Sequence, residues 1–491
     1  MQMAQPTPGN TRNHRLDGIW LGHLGAEGDS LRIQLFISTD PLGQLAVSLD
    51  SIDQRAAGLA CANVSFDNDA FSFDVPAAGG KWTGTLSADN NRLTGRWFQF
   101  KNFPLEFERQ EQATPIPPPP TRRVLPALPP IPASEVSAQL AHDFGDIVTT
   151  GWLAPESRGG IAVGISQNGV RSIATFGAAK IDSIFEIGSI SKTFTGLLLA
   201  QMAAQGEVEL DEPVRRLLPL QAATTPASQE ISLVDLSTHH SGLPRLPTNM
   251  HPANPEDPYA DYDAQKLLAF IDSHGLTKPD KPAFNYSNLG AGLLGYALAH
   301  RASQPFFALL DERILSPLGL TDTAIALGEE QQTRFMQGHR ANGMATMPWH
   351  LGAIAGAGGL RASVTDLLSY LEAFCNPEGQ RSKSQSDRPS LSTALENAQK
   401  PREEIREVGR ICLGWLYRRD EHTHWHTGGT GGFTSYAAFN RQSGRAIVVL
   451  ANAGGRIDGS PAEAIGHYVA DRLDGKPALW PGSTLPAQHA G

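Results

Sequence analysis

The sequence predicts an α+β fold: an antiparallel sheet flanked by helices plus a helical lobe, preceded by a small all-β partial barrel. Three observations carry this. Residues 16–109 alternate apolar and polar positions in short runs, residues 113–133 are crowded with proline, and beyond them strand-like and helix-like stretches are mixed. At 491 residues the chain exceeds the size at which one core keeps growing, so two or more domains are expected.

The first domain is assigned to residues 15–110. Runs such as Leu31 to Ile37, Leu45 to Leu49, Phe71 to Val75 and Leu105 to Phe107 are separated by turn signals at Ala78-Gly79-Gly80 and Asp89-Asn90-Asn91. Together they read as antiparallel strands. Residues 111–133, with Pro117 to Pro120 and Pro129-Pro130, favour an extended polyproline conformation and read as a semi-rigid linker. The remaining domain, 134–480, offers strands at Gly160 to Ile165, Ser435 to Asn440 and Arg445 to Ala451, and helices at Leu197 to Gln205, Ala291 to Ala302 and Ala462 to Leu473. Residues 379–404, rich in Ser, Gln, Arg and Glu, read as the start of a mobile surface insertion.

Chemistry first shows at Ser189-Ile190-Ser191-Lys192, at the mouth of an apolar helix. Helical residues three apart share a face with Cβ atoms roughly 5–6 Å apart, so the Lys192 amine can reach the Ser189 hydroxyl. A base then stands beside a nucleophile. Ser191 is turned about 100° from Lys192, which makes Ser189 the better nucleophile. To act as a base Lys192 must be neutral, which burial and a nearby positive charge promote, and the apolar run Phe194 to Ala200 points to burial.

Downstream lie Tyr286-Ser287-Asn288 and His426-Thr427-Gly428-Gly429. In that order, Ser-x-x-Lys, Tyr-x-Asn and His/Lys-Thr-Gly resemble the three motifs of the penicillin-recognising serine hydrolases, in the branch of class C β-lactamases, D-Ala-D-Ala carboxypeptidases and related esterases. The stretches at 236–244 and 356–363 look like the same family, and the resemblance covers about residues 135–475. Gly18-Ile19-Trp20, Leu93 to Gln99 and Phe107-Glu108-Arg109 resemble lipocalin-like partial barrels fused to serine hydrolases. Such a small barrel is usually filled by its own side chains.

The resemblance implies roles. Ser189, Lys192 and Tyr286 are the expected catalytic residues, the Tyr286 hydroxyl relaying the serine proton to the leaving group. Asn288, on the same side as Tyr286 if the segment is extended, would position the substrate or Lys192. Thr427, Gly428 and Gly429 would bind substrate, the two glycines baring the strand edge, and the N–H groups of Ser189 and Gly429 would form an oxyanion hole. His426 stands where many relatives have lysine, so a substrate carboxylate would meet an imidazole only partly charged near neutrality. The expected activity is cleavage of amides or esters through an acyl-enzyme, D-amino-acid peptides or β-lactams first and simple esters next. A binding or sensor protein that acylates without turning over is the rival from another class.

Other classes fit poorly. A net charge of −10 and a pI near 5.8 argue against nucleic acid. Cys61, Cys375 and Cys412 have neither zinc nor disulfide-framework spacing. The alternation His422, His424, His426 has no acidic residue or cysteine at a helpful offset, and the family it resembles uses no metal, so no metal and no cofactor is expected, and His239-His240 read as structural. Gly164 to Asn168 misses the nucleophile elbow, and Gly428 to Gly432 lacks the Lys-Ser/Thr of a phosphate loop. Met1 to Arg12 lacks a signal-like apolar core, so the chain reads as cytoplasmic as written, or as periplasmic or secreted if its N-terminus is incomplete or trimmed. No stretch approaches a membrane span. The expected partner is a small-molecule or peptide substrate, and no pattern specifies an oligomer.

Overall fold

The computed structural model describes the chain except for residues 1–12, 26–29, 41–42, 100–101, 119–122, 150, 155–156, 220–228, 380–390, 407, 420, 456–458 and 486–491. Residues 1–12, the end of the first proline run and residues 380–390 of the expected surface insertion fall outside the described residues. Contacts divide the chain into two compact units, Met1–Thr121 and Arg122–Gly491.

The first unit is a nine-stranded antiparallel meander: β1 (Gly18–Leu24), β2 (Leu31–Thr39), β3 (Leu45–Ser51), β4 (Ala56–Ala60), β5 (Ala62–Asp67), β6 (Ala70–Val75), β7 (Gly80–Leu86), β8 (Arg92–Phe98) and β9 (Asn102–Gln110). β1 pairs with both β2 and β9, which leaves the nearly closed sheet open only between β4 and β5. Trp20, Phe71, Phe73, Trp82 and Phe107 fill the interior. Trp82 fits because Gly84 and Gly95 face each other across β7 and β8; a Cβ on either would lie about 2.5 Å from its indole. Replacing this buried indole by Ala is expected to cost about 3–5 kcal/mol. Trp20, in register with Arg109, donates to the Leu16 carbonyl at 2.8 Å and carries the Arg109 guanidinium 4.2 Å above its ring.

The second unit adds β10 (Val124–Leu125), β11 (Gly160–Gln167), β12 (Val170–Gly177), β13 (Ile184–Glu186), β14 (Arg361–Ser363), β15 (Glu403–Ile405), β16 (Gly409–Ile411), β17 (Leu416–Arg418), β18 (Thr423–Gly429), β19 (Thr434–Asn440), β20 (Arg445–Ala451) and β21 (Ala478–Leu479). Eight of these form an antiparallel sheet in the order β12-β11-β20-β19-β18-β17-β16-β15. β11, β19 and β20 are apolar runs buried along nearly their whole length, as strands covered on both faces must be. The helices Val136–Phe144 and Pro461–Leu473 cover one face, over Ile161, Val163, Tyr436 and Val449. On the other face the helix Val364–Cys375 packs, with Phe374 stacked on Phe439 at 5.0 Å. The helices Ser191–Ala204, Ala264–His274 and Asn288–Ala302 belong to the helical lobe.

Two expectations are corrected. The linker does not run free to residue 133: β10 pairs with β21, Leu125 and Ala133 are buried, and Ile131 N–H donates to the Arg472 carbonyl at 3.3 Å. Between the prolines stand apolar side chains and backbone donors, and the C-terminal helix supplies partners for both. Residues 391–398 are not part of a mobile insertion but a helix with Ala394, Leu395 and Ala398 buried, packed on Ser191–Ala204. Its apolar positions recur at helical spacing beneath a polar composition.

Candidate active site

Ser189 lies in a tight turn, Gly188–Ile190, that runs directly into the helix Ser191–Ala204. From 183 to 202 every other residue is buried, so this apolar segment meets solvent only at Ser189. Lys192 is 2% exposed; its Nζ lies 2.9 Å from Ser189 Oγ and donates to the Ala357 carbonyl at 2.6 Å. Burial first, and the charge of Arg245 second, hold the amine well below the ordinary lysine range. A neutral amine keeps one N–H for Ala357 and a lone pair for the Ser189 proton. Ser191 is excluded from chemistry: its buried hydroxyl accepts from Leu360 N–H at 3.1 Å and fastens the 356–363 stretch to the helix.

Tyr286 has its ring centroid 4.8 Å from Lys192 Nζ. Burial pushes its hydroxyl up to about 12, with a hydrogen bond to Ser189 acting the other way. The phenol therefore keeps its proton at neutral pH. The loop bearing it is held by the 236–244 stretch: Ser287 N–H donates to His239 Nδ1 at 3.2 Å, Asn285 N–H to the His239 carbonyl at 2.9 Å, and Ser287 Oγ to the Pro244 carbonyl at 2.7 Å. His239 adopts a left-handed backbone (φ 61°), and its ring lies 4.5 Å from that of Tyr286. Burial, then Lys192, keeps this imidazole well below its usual range. His239 is thus structural, as expected, and it structures the site itself.

β18 pairs with β19 over 424–429 but with β17 only over 423–425, so among the described residues its edge from 426 to 429 has no partner strand. Thr430 N–H donates to the Phe433 carbonyl at 3.0 Å, and the alternation of an antiparallel ladder then turns Gly429 N–H toward that open edge. Gly188 (φ 49°) touches the same place: a Cβ on it would lie 2.6 Å from the Gly429 nitrogen. The two glycines beside Thr427 differ. A Cβ on Gly429 would meet nothing nearer than 4.0 Å, as an edge open to substrate requires, whereas on Gly428 it would lie 2.0 Å from the Ile187 carbonyl. The missing Cβ of Gly428 is what lets the strand and the nucleophile turn pack together.

His426 is 4% exposed, its ring 6.4 Å from Tyr286, with Nδ1 2.5 Å from the Thr427 carbonyl. Burial first and Lys192 second push it down to about 4. The expectation of a partly charged imidazole is corrected to a neutral one. Asn288 does not extend from Tyr286 but opens the helix Asn288–Ala302, behind the cap Ser287; its amide bonds toward the Tyr259 hydroxyl, and its Oδ1 is buried with no hydrogen-bond partner among the described residues. Lys192 bonds instead to Ser189 and Ala357. Of the three alternating histidines, His422 precedes the strand, and among the described residues no group of three His, Cys, Asp or Glu is placed to hold a metal. Sequence reasoning missed Tyr259 and Arg245, whose guanidinium lies 5.2 Å from the Tyr286 centroid. The one available signal was an arginine directly after the 236–244 stretch.

A buried amine against a serine hydroxyl, with a phenol beside them and an outward strand N–H opposite, can support nucleophilic acyl transfer. The Beta-lactamase family profile matches residues 146–470. A β-lactamase of Pseudomonas fluorescens is 27% identical over 332 residues, 60% of this chain and 88% of that protein. The D-alanyl-D-alanine-carboxypeptidase/endopeptidase AmpH of Escherichia coli is 26% identical over 374 residues, 72% and 94% of the two chains. Solved structures titled as a class C β-lactamase from Rhodobacter sphaeroides (TM-score 0.54, 23% identity, 70% and 97% covered) and a β-lactamase/D-alanine carboxypeptidase from Pseudomonas syringae (0.53, 22%, 64% and 92%) share the fold. The chain belongs to the β-lactamase family and is a serine hydrolase. Among the described residues no helix is long and apolar enough to cross a membrane.

Proposed function

We propose that the protein hydrolyses amide or ester bonds through an acyl-enzyme on Ser189, with D-amino-acid peptides and β-lactams as its first substrate classes. The observation that carries this is the buried Lys192 amine 2.9 Å from Ser189 Oγ. The named activities of its relatives support the substrate classes. Ser189 Oγ attacks the carbonyl while Lys192 takes its proton, and the N–H groups of Ser189 and Gly429 hold the oxyanion. Collapse expels the amine or alkoxide, which takes a proton from Tyr286, and Lys192 restores that proton. Water then attacks the ester, giving a proton to the same pair and releasing the acid and Ser189. A neutral His426 favours simple esters as the second reading, because no charge at that position selects for a carboxylate.

The test is turnover of a peptide, a lactam and an ester by the wild type and by Ser189→Ala. Loss of several orders of magnitude on every substrate that is turned over is expected. Activity that survives the substitution refutes the reading.

A further inference from the structure

We propose that Arg245 is the anion anchor of the substrate cleft, receiving a carboxylate carried by the substrate. The inference rests on the acyl-transfer reading of the same site. Its main chain is fixed, because the Arg245 carbonyl accepts from Asn288 N–H at 3.0 Å and Leu289 N–H at 3.2 Å at the start of the helix Asn288–Ala302. Its side chain is exposed and lies over the Tyr286 ring. Among the described residues that guanidinium makes no hydrogen bond and no ion pair, whereas Arg313, Arg334, Arg340 and Arg361 each meet a carboxylate. An arginine fork left without an acceptor beside a reacting tyrosine matches a carboxylate in shape and charge.

The basic groups nearest Ser189 supply no free charge for this. His426, which stands in place of the lysine of many relatives, is buried and neutral, and so is His239. Lys192 is committed to Ser189 and Ala357. Selection for a carboxylate therefore moves from the β18 strand to the loop that follows the 236–244 stretch.

The experiment compares wild type, Arg245→Gln and Arg245→Lys on two matched pairs. One pair is an acyl-D-alanyl-D-alanine and its C-terminal amide, with the charge on the leaving side; the other is a glutaryl ester and its side-chain methyl ester, with the charge on the acyl side. The quantity read is the ratio of kcat/KM for the charged member to that for the neutral one, which cancels any effect of the lost charge on Lys192. In one pair the ratio is expected to fall about ten- to a hundredfold in Arg245→Gln, chiefly through KM, with partial recovery in Arg245→Lys. The pair that responds says which side of the scissile bond the anchor serves. Ratios unchanged within about twofold in both pairs overturn the proposal while leaving the acyl-enzyme reading intact. A wild type that turns over no member, with Ser189 unlabelled by a penicillin, overturns that reading and the anchor with it.

Discussion

His424 should make this protein acid-sensitive, and removing it should remove part of that sensitivity. The side chain is 7% exposed; its ring stacks on Phe439 at 4.6 Å, and Nε2 lies 2.8 Å from the Gln399 carbonyl. Nδ1 is buried with no acceptor among the described residues. Protonation would force an N–H onto that atom, and burial accordingly pulls the imidazole down to about 4, the Gln399 bond offsetting part of the fall. In the unfolded chain the value is about 6.5. Between those two values the unfolded state binds a proton that the folded state refuses, so stability rises with pH across this window and is lost as pH falls. At pH 5, about 1.5 units below the unfolded value, the loss is about 2 kcal/mol. In His424→Phe the stack survives and the Gln399 carbonyl keeps the Cys412 thiol at 3.2 Å, so the variant should cost only about 0.5–1.5 kcal/mol at pH 7.5. Urea unfolding followed by circular dichroism at pH 7.5 and pH 5 reads both effects. The variant should be the less stable protein at pH 7.5 and equal or better at pH 5. Parallel losses in the two proteins would refute the argument, since His426 titrates in both.

Gly428→Ala should fail to accumulate as folded protein, because its Cβ would sit 2.0 Å from the Ile187 carbonyl, while Gly429→Ala should fold and show a raised KM; expression, circular dichroism and steady-state kinetics separate them. Ser191→Ala should lose about 0.5–1.5 kcal/mol of stability with its bond to Leu360 but keep turnover within about tenfold of wild type. A chain of residues 122–491 should fold and hydrolyse substrate without the barrel. Starting instead at 134 should cost about 3 kcal/mol, from the lost burial of Leu125 and Ile131 and the lost β10 pairing, as thermal unfolding will show.

The site residues differ in how far the sequence could reveal them. Ser189 and Lys192 are related by one helical turn, and the helix is marked by its own apolar run, so their meeting was legible from local geometry alone. Tyr286 was legible only in the company of other motifs, because 94 residues separate it from Lys192 and nothing local says where its loop is tied. What escaped depends on approach. The 236–244 stretch had its meaning only once its carbonyls and His239 were seen to hold the Tyr286 loop. Gly428 and Gly429 are adjacent and alike in sequence, yet one faces a packed carbonyl and the other open space. Residue type suggested a His426 that is charged part of the time; burial is the largest influence the other way. The same holds for fold. Continuous apolar strands such as β11 and β20 declared themselves, whereas residues 124–131 were disguised by proline and the helix Leu391–Ala398 by polar composition.

If Lys192 activates the Ser189 oxygen, that oxygen becomes covalently acylated by a reactive substrate. Intact-protein mass spectrometry after a short exposure to a penicillin, followed by peptide mapping, tests it most directly. One adduct per chain is expected, on the peptide bearing Ser189, absent from Ser189→Ala and formed at least a hundredfold more slowly in Lys192→Arg, whose guanidinium cannot take the proton. An adduct on Ser191 or elsewhere, or acylation at an undiminished rate in Lys192→Arg, would contradict it.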